Sequence, residues 1–337
     1  MSKIYEALRQ AELDRAKVGA TQSDSGPNAQ TTSQAVLDRE HDPALLSSEW
    51  PSIVVPPAAR TIGGNAPATS NADANIVAER AVEGGFSESD FANMPPVTWN
   101  PSLAQLPALD DRGSAVEQFR SLRSRMQEFR DLNTLKSLMV SSGLPQEGKS
   151  FVTANLAISF ARHKAGRVLL IDGDMRRATL HKLLGCPQGP GLTEFLAGTA
   201  SILEVMQRPR ADDADRPLPP GLASLTFIPA GTEHDKAADL SGNRRFDRLI
   251  AAAAPHFDWI IVDSSPVNLV SDGVNLARAC DAVLLVARGG VTKYEIAQRA
   301  LSELKASRVL GFVLNAVSRP PVAGGYYGYD GYDKLEE

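Results

Sequence analysis

Residues 143–150, Gly143-Leu-Pro-Gln-Glu-Gly148-Lys149-Ser150, fit the pattern GxxxxGK[S/T] and stand between an apolar segment, SLMVSS, and a helix-forming one, SFVTANLAISFA. That placement constrains the fold more than any other stretch of the chain. Two glycines let the backbone turn its N–H groups inward around a phosphate. The helix that follows adds its positive dipole end to the same spot. Lys149 reaches the β and γ oxygens of a nucleoside triphosphate, and the Ser150 hydroxyl offers a magnesium position. A strand must therefore enter the loop and a helix must leave it.

The rest of the chain continues that rhythm. Short apolar runs at Leu138–Val140, Arg167–Ile171, Leu225–Ile228, Trp259–Val262, Ala282–Val286 and Gly311–Leu314 read as buried strands separated by helical stretches. Continuous rather than alternating apolar strands indicate a parallel sheet covered on both faces. The expected fold is α/β: a P-loop NTPase with a mostly parallel sheet and helices on both faces. Ahead of it, Ala115–Phe129 forms a helix whose apolar stripe is Val116, Phe119, Leu122, Met126 and Phe129. Residues 1–16 read as a short helix, either solvated or docked on a partner. Residues 17–94, rich in Ser, Thr, Ala, Gly, Asn and Pro, read as a disordered linker that cannot bury enough apolar surface to offset chain entropy. Residues 95–323 form the folded domain, and residues 324–337 a flexible tail.

Composition excludes several alternatives. The formal net charge of −5 over 337 residues lacks the basic excess that nucleic-acid binding needs. Two isolated cysteines and five scattered histidines leave no disulfide scaffold and no thiolate or HExxH zinc site. No run of about 18 apolar residues is present, and the N-terminus lacks the apolar core of a secretory signal, so the expected compartment is the cytoplasm.

Two strand ends carry acids. Val168-Leu-Leu-Ile171 runs into Asp172-Gly-Asp174-Met-Arg176, and Trp259-Ile-Ile-Val262 runs into Asp263-Ser264-Ser265-Pro266. In an open parallel sheet, ligands sit at the carboxyl ends of the strands, so all three carboxylates are aimed at the nucleotide. Asp263 follows its strand as a Walker B acid does and would hold Mg²⁺ directly or through water. Asp172 and Asp174 are two residues apart and can serve different atoms, one the attacking hydroxyl and the other the metal shell.

Together these three elements resemble the bacterial tyrosine kinases, over roughly Asp110 to Glu337. The apolar run followed by DxDxR matches at Ile171–Arg176, and the segments RRATLHKLLG and GLTEFLAG stand where that family has similar ones. Ser265 replaces a usual proline, which would alter loop stiffness rather than charge. The resemblance implies an ATP- and Mg²⁺-dependent protein-tyrosine autokinase. Gly143, Gln146, Glu147, Gly148, Lys149, Ser150, Phe151 and Arg176 would bind the nucleotide, and Asn315 would contact its adenine. Lys149, Asp172, Asp174 and Asp263 would be catalytic, and Ser150, Asp174 and Asp263 would hold the metal. Asp172 would orient the tyrosine hydroxyl, although it and Asp174 could exchange roles. Glu117, Arg120 and Arg123 match an ExxRxxR helix that would build a ring of subunits. Four of the six tyrosines, Tyr326, Tyr327, Tyr329 and Tyr332, fall in the last twelve residues and would be phosphorylated in trans. The resemblance also implies regulation of exopolysaccharide synthesis and export, a membrane-embedded chain-length regulator as activating partner, and a resetting tyrosine phosphatase. The rival expectations are a ParA/MinD-like ATPase switch and a non-catalytic nucleotide-binding regulator. The switch usually carries a lysine after the first loop glycine, where this chain has Leu144.

Overall fold

The computed structural model describes residue 94 and residues 96–132, 134–164, 166–210 and 218–317. The helix expected over residues 1–16, nearly all of the linker and the tyrosine-bearing tail lie outside the described residues. Met94, at the end of the expected linker, already packs into the core.

In chain order the strands are β1 (Pro96–Val97), β2 (Ser137–Ser142), β3 (Val168–Gly173), β4 (Arg208–Pro209), β5 (Leu225–Ile228), β6 (Trp259–Ser264), β7 (Ala282–Arg288) and β8 (Val309–Asn315). The α-helices are α1 (Ser114–Leu132), α2 (Lys149–Arg162), α3 (Leu180–Leu184), α4 (Leu192–Ala197), α5 (Ile202–Val205), α6 (Ala237–Ser241), α7 (Arg245–Ala253), α8 (Ser271–Ala277) and α9 (Tyr294–Glu303). Six strands form one sheet in the order β5-β3-β6-β2-β7-β8. Every neighbouring pair is parallel. β1 and β4 pair separately.

The two faces of the sheet bury alternate residues of the same strands. Leu138, Val140, Val168, Leu170 and Ile261 point into the layer that holds α1 and α2. Met139, Leu169, Ile171, Ile260 and Val262 point into the layer that holds α4, α7 and α8. Both faces are therefore covered, which is why the strands read as unbroken apolar runs. Among the described residues, no helix is long and apolar enough to cross a membrane.

The chain leaves β2 at the centre of the sheet, crosses through α2 to β3, and returns to pair β6 between them. This reversal opens a crevice at the carboxyl ends of β2, β3 and β6, where such sheets place ligands. The α2 helix is almost wholly buried beneath the N-terminal segment. Its Asn155 accepts the Ala108 N–H at 3.0 Å and donates to the carbonyls of Gln105 at 3.2 Å and Phe151 at 2.9 Å. Asn155→Ala would leave the Ala108 N–H buried and unpaired. We expect a loss of about 2–3 kcal/mol, seen as a lower urea midpoint with an unchanged m-value.

Candidate functional site: a phosphate loop facing strand-end carboxylates

The loop between β2 and α2 keeps its shape through contacts that reach far along the chain. Gly148 has φ 92°, and a side chain there would collide with Asn315, whose Nδ2 would lie 1.9 Å from the added carbon. Gln146 also takes the left-handed region, at φ 63°. Glu147 is buried and points away from the cavity. One of its oxygens accepts the Leu144 N–H at 2.8 Å and the other accepts the Thr292 hydroxyl, while Asn315 Nδ2 donates to its carbonyl at 3.0 Å. The Asn315 amide N–H thus braces the loop, because β8 delivers it directly behind Gly148.

Lys149 is the charge centre. Its Nζ lies 2.7 Å from Asp174 Oδ2 and 3.5 Å from Asp263 Oδ2, and donates to Ser150 Oγ at 3.2 Å. Burial alone would lower the lysine pKa, but Asp263 and Asp174 outweigh it and hold the pKa above its ordinary value. Ser150 Oγ donates to Asp263 Oδ2 at 2.5 Å, and Thr153 Oγ1 donates to Asp263 Oδ1 at 3.1 Å. Full burial pushes the Asp263 pKa up against these partners. Asp174 goes the other way: burial opposes its charge, but Lys149, the Ser265 hydroxyl at 2.9 Å and the Arg177 N–H bring its pKa down. The closer ion pair is therefore Lys149–Asp174.

Asp172 lies opposite Asp263 in the β3–β6 register and is fully buried. Its Oδ1 accepts the Asp174 N–H at 3.2 Å, and its Oδ2 accepts the N–H groups of Thr179 and Leu180 at 3.2 and 3.1 Å. Burial, with Asp263 alongside, pushes its pKa up to about 8 against Lys149. Asp172 is the carboxylate expected at the acceptor hydroxyl, with Asp174 as the alternative. The side chain turns into the protein and anchors the loop that carries Asp174, and Asp174 is the β3 carboxylate that borders open space.

That space is a cavity of about 580 Å³. Gln146, Gly148, Lys149, Ser150, Phe151, Asp174 and Arg176 line it, whereas Gly143, Glu147, Asp172, Asp263 and Asn315 stand behind its walls. Arg176 lines it while paired through Nε with the buried Asp272 at 2.5 Å. Sequence reasoning missed Gln105, Leu183, Leu269 and Val270; the last three with Phe151 give the cavity an apolar wall. It also undervalued Ser265, whose hydroxyl binds Asp174; a hydroxyl two residues after the strand-end acid was the available signal. The fit to Mg²⁺ rests on donor chemistry: a hydroxyl and two carboxylates converge beside the phosphate loop. Among the described residues no cluster of three metal-ligating side chains of the His, Cys, Asp or Glu type forms. Mg²⁺ is commonly held by one or two carboxylates plus substrate phosphates rather than by such a cage.

On α1, Glu117 and Arg120 pair with each other at 2.5 Å on the surface. Arg123, expected to face a neighbouring subunit with them, instead turns inward and donates to the Ser159 carbonyl of α2 at 3.0 Å.

No protein-family model matches the chain. It is 32% identical to the tyrosine-protein kinase CpsD of Streptococcus pneumoniae over 222 residues, 64% of this chain and 91% of that protein. It is 31% identical to the tyrosine-protein kinase YwqD of Bacillus subtilis, of which it covers 86%. The match to the tyrosine-protein kinase Wzc of Salmonella typhimurium is 32% identical over 65% of this chain, but spans only 29% of that longer relative. Among solved structures, the kinase domain of the Escherichia coli tyrosine kinase ETK superposes with a TM-score of 0.59 at 29% identity, covering 73% of this chain and 92% of that one.

Lys149→Met would strand three buried carboxylates without their cation. Asp172 and Asp263, already raised by burial, would rise further, and Asp174 would lose the partner that holds its pKa down, so the folded state would bind extra protons and lose stability as pH rises. We expect a cost of about 3–5 kcal/mol near pH 8 and a clearly smaller one at pH 5, measured by urea unfolding without nucleotide or magnesium.

Proposed function

The chain belongs to the bacterial tyrosine-protein kinases, and from that premise we propose that it transfers the γ-phosphoryl group of ATP to tyrosines of its own C-terminal segment, in trans within a ring of identical subunits. The observation that carries this reading is the junction of two surfaces in one cavity. Lys149, Ser150 and Asp174 line its polar side, and Phe151, Leu183 and Leu269 line an apolar side suited to an aromatic acceptor.

In this mechanism the loop N–H groups and Lys149 hold the β and γ phosphates in line with the incoming hydroxyl. Phosphoryl transfer needs alignment and charge neutralisation more than covalent help. Ser150 and Asp263, already hydrogen-bonded to each other, would hold Mg²⁺ and its waters, which leaves Asp174 for the acceptor. When bound, the ion neutralises charge on the phosphate oxygens. To engage the nucleotide, Lys149 exchanges its carboxylate partners for phosphate oxygens. The tyrosine oxygen forms a bond to the γ phosphorus as the bond from that phosphorus to the ADP oxygen breaks. The tyrosine proton passes to a carboxylate, and Asp174 takes that role because it borders the cavity. Asp172 acts as a positioning residue, fixing the Asp174–Leu180 loop through its three N–H partners. Arg176 would reach the nucleotide by leaving Asp272.

The acceptors would be Tyr326, Tyr327, Tyr329 and Tyr332. Each phosphate adds roughly −1.5 to −2 charges, so a modified tail would leave its neighbour's site and loosen the ring. Glu117 and Arg120 would supply ring contacts from α1. A cytoplasmic location beside a membrane-embedded chain-length regulator, resetting by a tyrosine phosphatase and control of exopolysaccharide export follow from the family resemblance.

Incubation with ATP and Mg²⁺ followed by intact-mass measurement tests the reading. We expect mass steps of one phosphate that disappear with Lys149→Met and with all four tail tyrosines changed to Phe. ADP release without any mass step would instead mark a nucleotide switch.

A further inference from the structure

A second recess lies at the far end of α2 from the phosphate loop. Its volume is about 220 Å³, and Arg120, Arg123, Ser159, Arg162, His163 and Lys164 line it. The 14-residue α2 separates the two cavities by about 20 Å at 1.5 Å per residue.

Its charge is lopsided. Arg120 donates to Glu117 at 2.5 Å and to the Asp111 carbonyl at 3.0 Å. Arg162 donates to Asp111 Oδ1 at 2.6 Å and to the carbonyls of Ala108 and Asp110. Arg123 donates to Ser159, while its buried Nε has no partner among the described residues. Four permanent cations thus border one recess against two carboxylates, and the side chains of those two are 64% and 86% exposed, largely in water. His163 registers the excess: burial, then Arg123 and Lys164, lower its pKa.

We propose that this recess binds a phosphate monoester, the phosphotyrosine side chain of this chain's own C-terminal segment, residues 318–337. Guanidinium groups offer paired N–H donors that match a phosphate dianion. The volume is below the roughly 300–1,000 Å³ of ordinary small-molecule pockets, so it suits a head group rather than a whole nucleotide. A segment of 20 residues beyond Val317 spans up to about 70 Å when extended, enough to reach from the carboxyl end of β8 to the far end of α2. The inference rests on the kinase reading for the origin of the phosphate. It also gives that reading a physical switch. Arg120 belongs both to the surface assigned to ring contacts and to the recess, so phosphate in the recess and a neighbour on α1 compete for the same guanidinium.

The test uses the full-length chain and synthetic fluorescent peptides spanning residues 324–333, one phosphorylated at Tyr327 and Tyr329 and one unmodified. Fluorescence anisotropy should show the phosphopeptide binding about tenfold tighter or better. Arg120→Gln and Lys164→Gln should each erase most of that preference, Lys149→Met should leave it intact, and millimolar inorganic phosphate should compete. Arg120 and Lys164 are the decisive positions because both reach solvent, whereas Arg123 also braces α2. Equal affinity for the two peptides would overturn the proposal and assign the recess to carboxylates. A preference that survives both substitutions, or that disappears with Lys149→Met in a chain that circular dichroism at pH 6 shows to be folded, would overturn it too. The peptide phosphates are installed chemically, so failure here leaves the kinase reading standing, and that reading is decided separately by the intact-mass experiment.

Discussion

The Lys149 ammonium, held 2.7 Å from Asp174 and 3.5 Å from Asp263, is the interaction around which the rest of the site is built. Three carboxylates lie close together at the ends of β3 and β6, two of them fully buried. A buried charge without a partner costs several kcal/mol, so this cluster is tolerable only with a cation inside it. The sheet topology creates the arrangement: β6 enters between β2 and β3, placing Asp263 opposite Asp172 in one register and opposite Val140 in the other. The phosphate loop then brings Lys149 to the acids from the β2 side. Without a nucleotide the site is closed electrostatically on itself. On the proposed reading, a triphosphate would enter by offering Lys149 another set of anionic oxygens.

Such an exchange needs a moving side chain in a fixed frame. The frame comes from polar contacts, most of which the cavity does not expose. Glu147 ties the phosphate loop to Leu144 and to Thr292, and Asn315 ties it to β8. Asp172 performs the same service on the β3 side by accepting three backbone N–H groups of the loop that carries Asp174. Ser265 completes it from β6 by donating to Asp174. Each strand end thus supplies one group that faces the cavity and another that holds a neighbouring loop in place.

This division explains what could be read from the amino-acid sequence. The loop GLPQEGKS and the acids that end two apolar runs were legible because their chemistry depends on local order: strand, turn, then helix or acid. The sheet was legible for the same reason, since strands buried on both faces leave unbroken apolar runs. Side-chain direction at the turns was not. Whether Asp172 or Asp174 borders the cavity depends on the path of residues 175–180, and Asn315 meets Glu147 across 168 positions. Arg123 matched a surface spacing, yet the close approach of α1 and α2 drew it to Ser159. The apolar wall of Phe151, Leu183 and Leu269 comes from three separated segments, and no local pattern marks them as neighbours.

The α2 helix joins the two ends of the molecule that matter for function. Its first residue is Lys149 and its last is Arg162, so one end closes the phosphate loop beside the strand-end acids and the other borders the basic recess. Between them the helix is clamped by Asn155 to the segment that precedes α1 and by Ser159 to Arg123. A helix so tightly packed is a poor candidate for a large rearrangement, and coupling between sites requires an element with two arrangements. The softer element is Arg120 with Glu117, an exposed pair that costs little to break. On the proposed reading, communication between catalysis and assembly would therefore be better carried by the product itself, a modified tail that reaches the far end of α2, than by strain passed through the core.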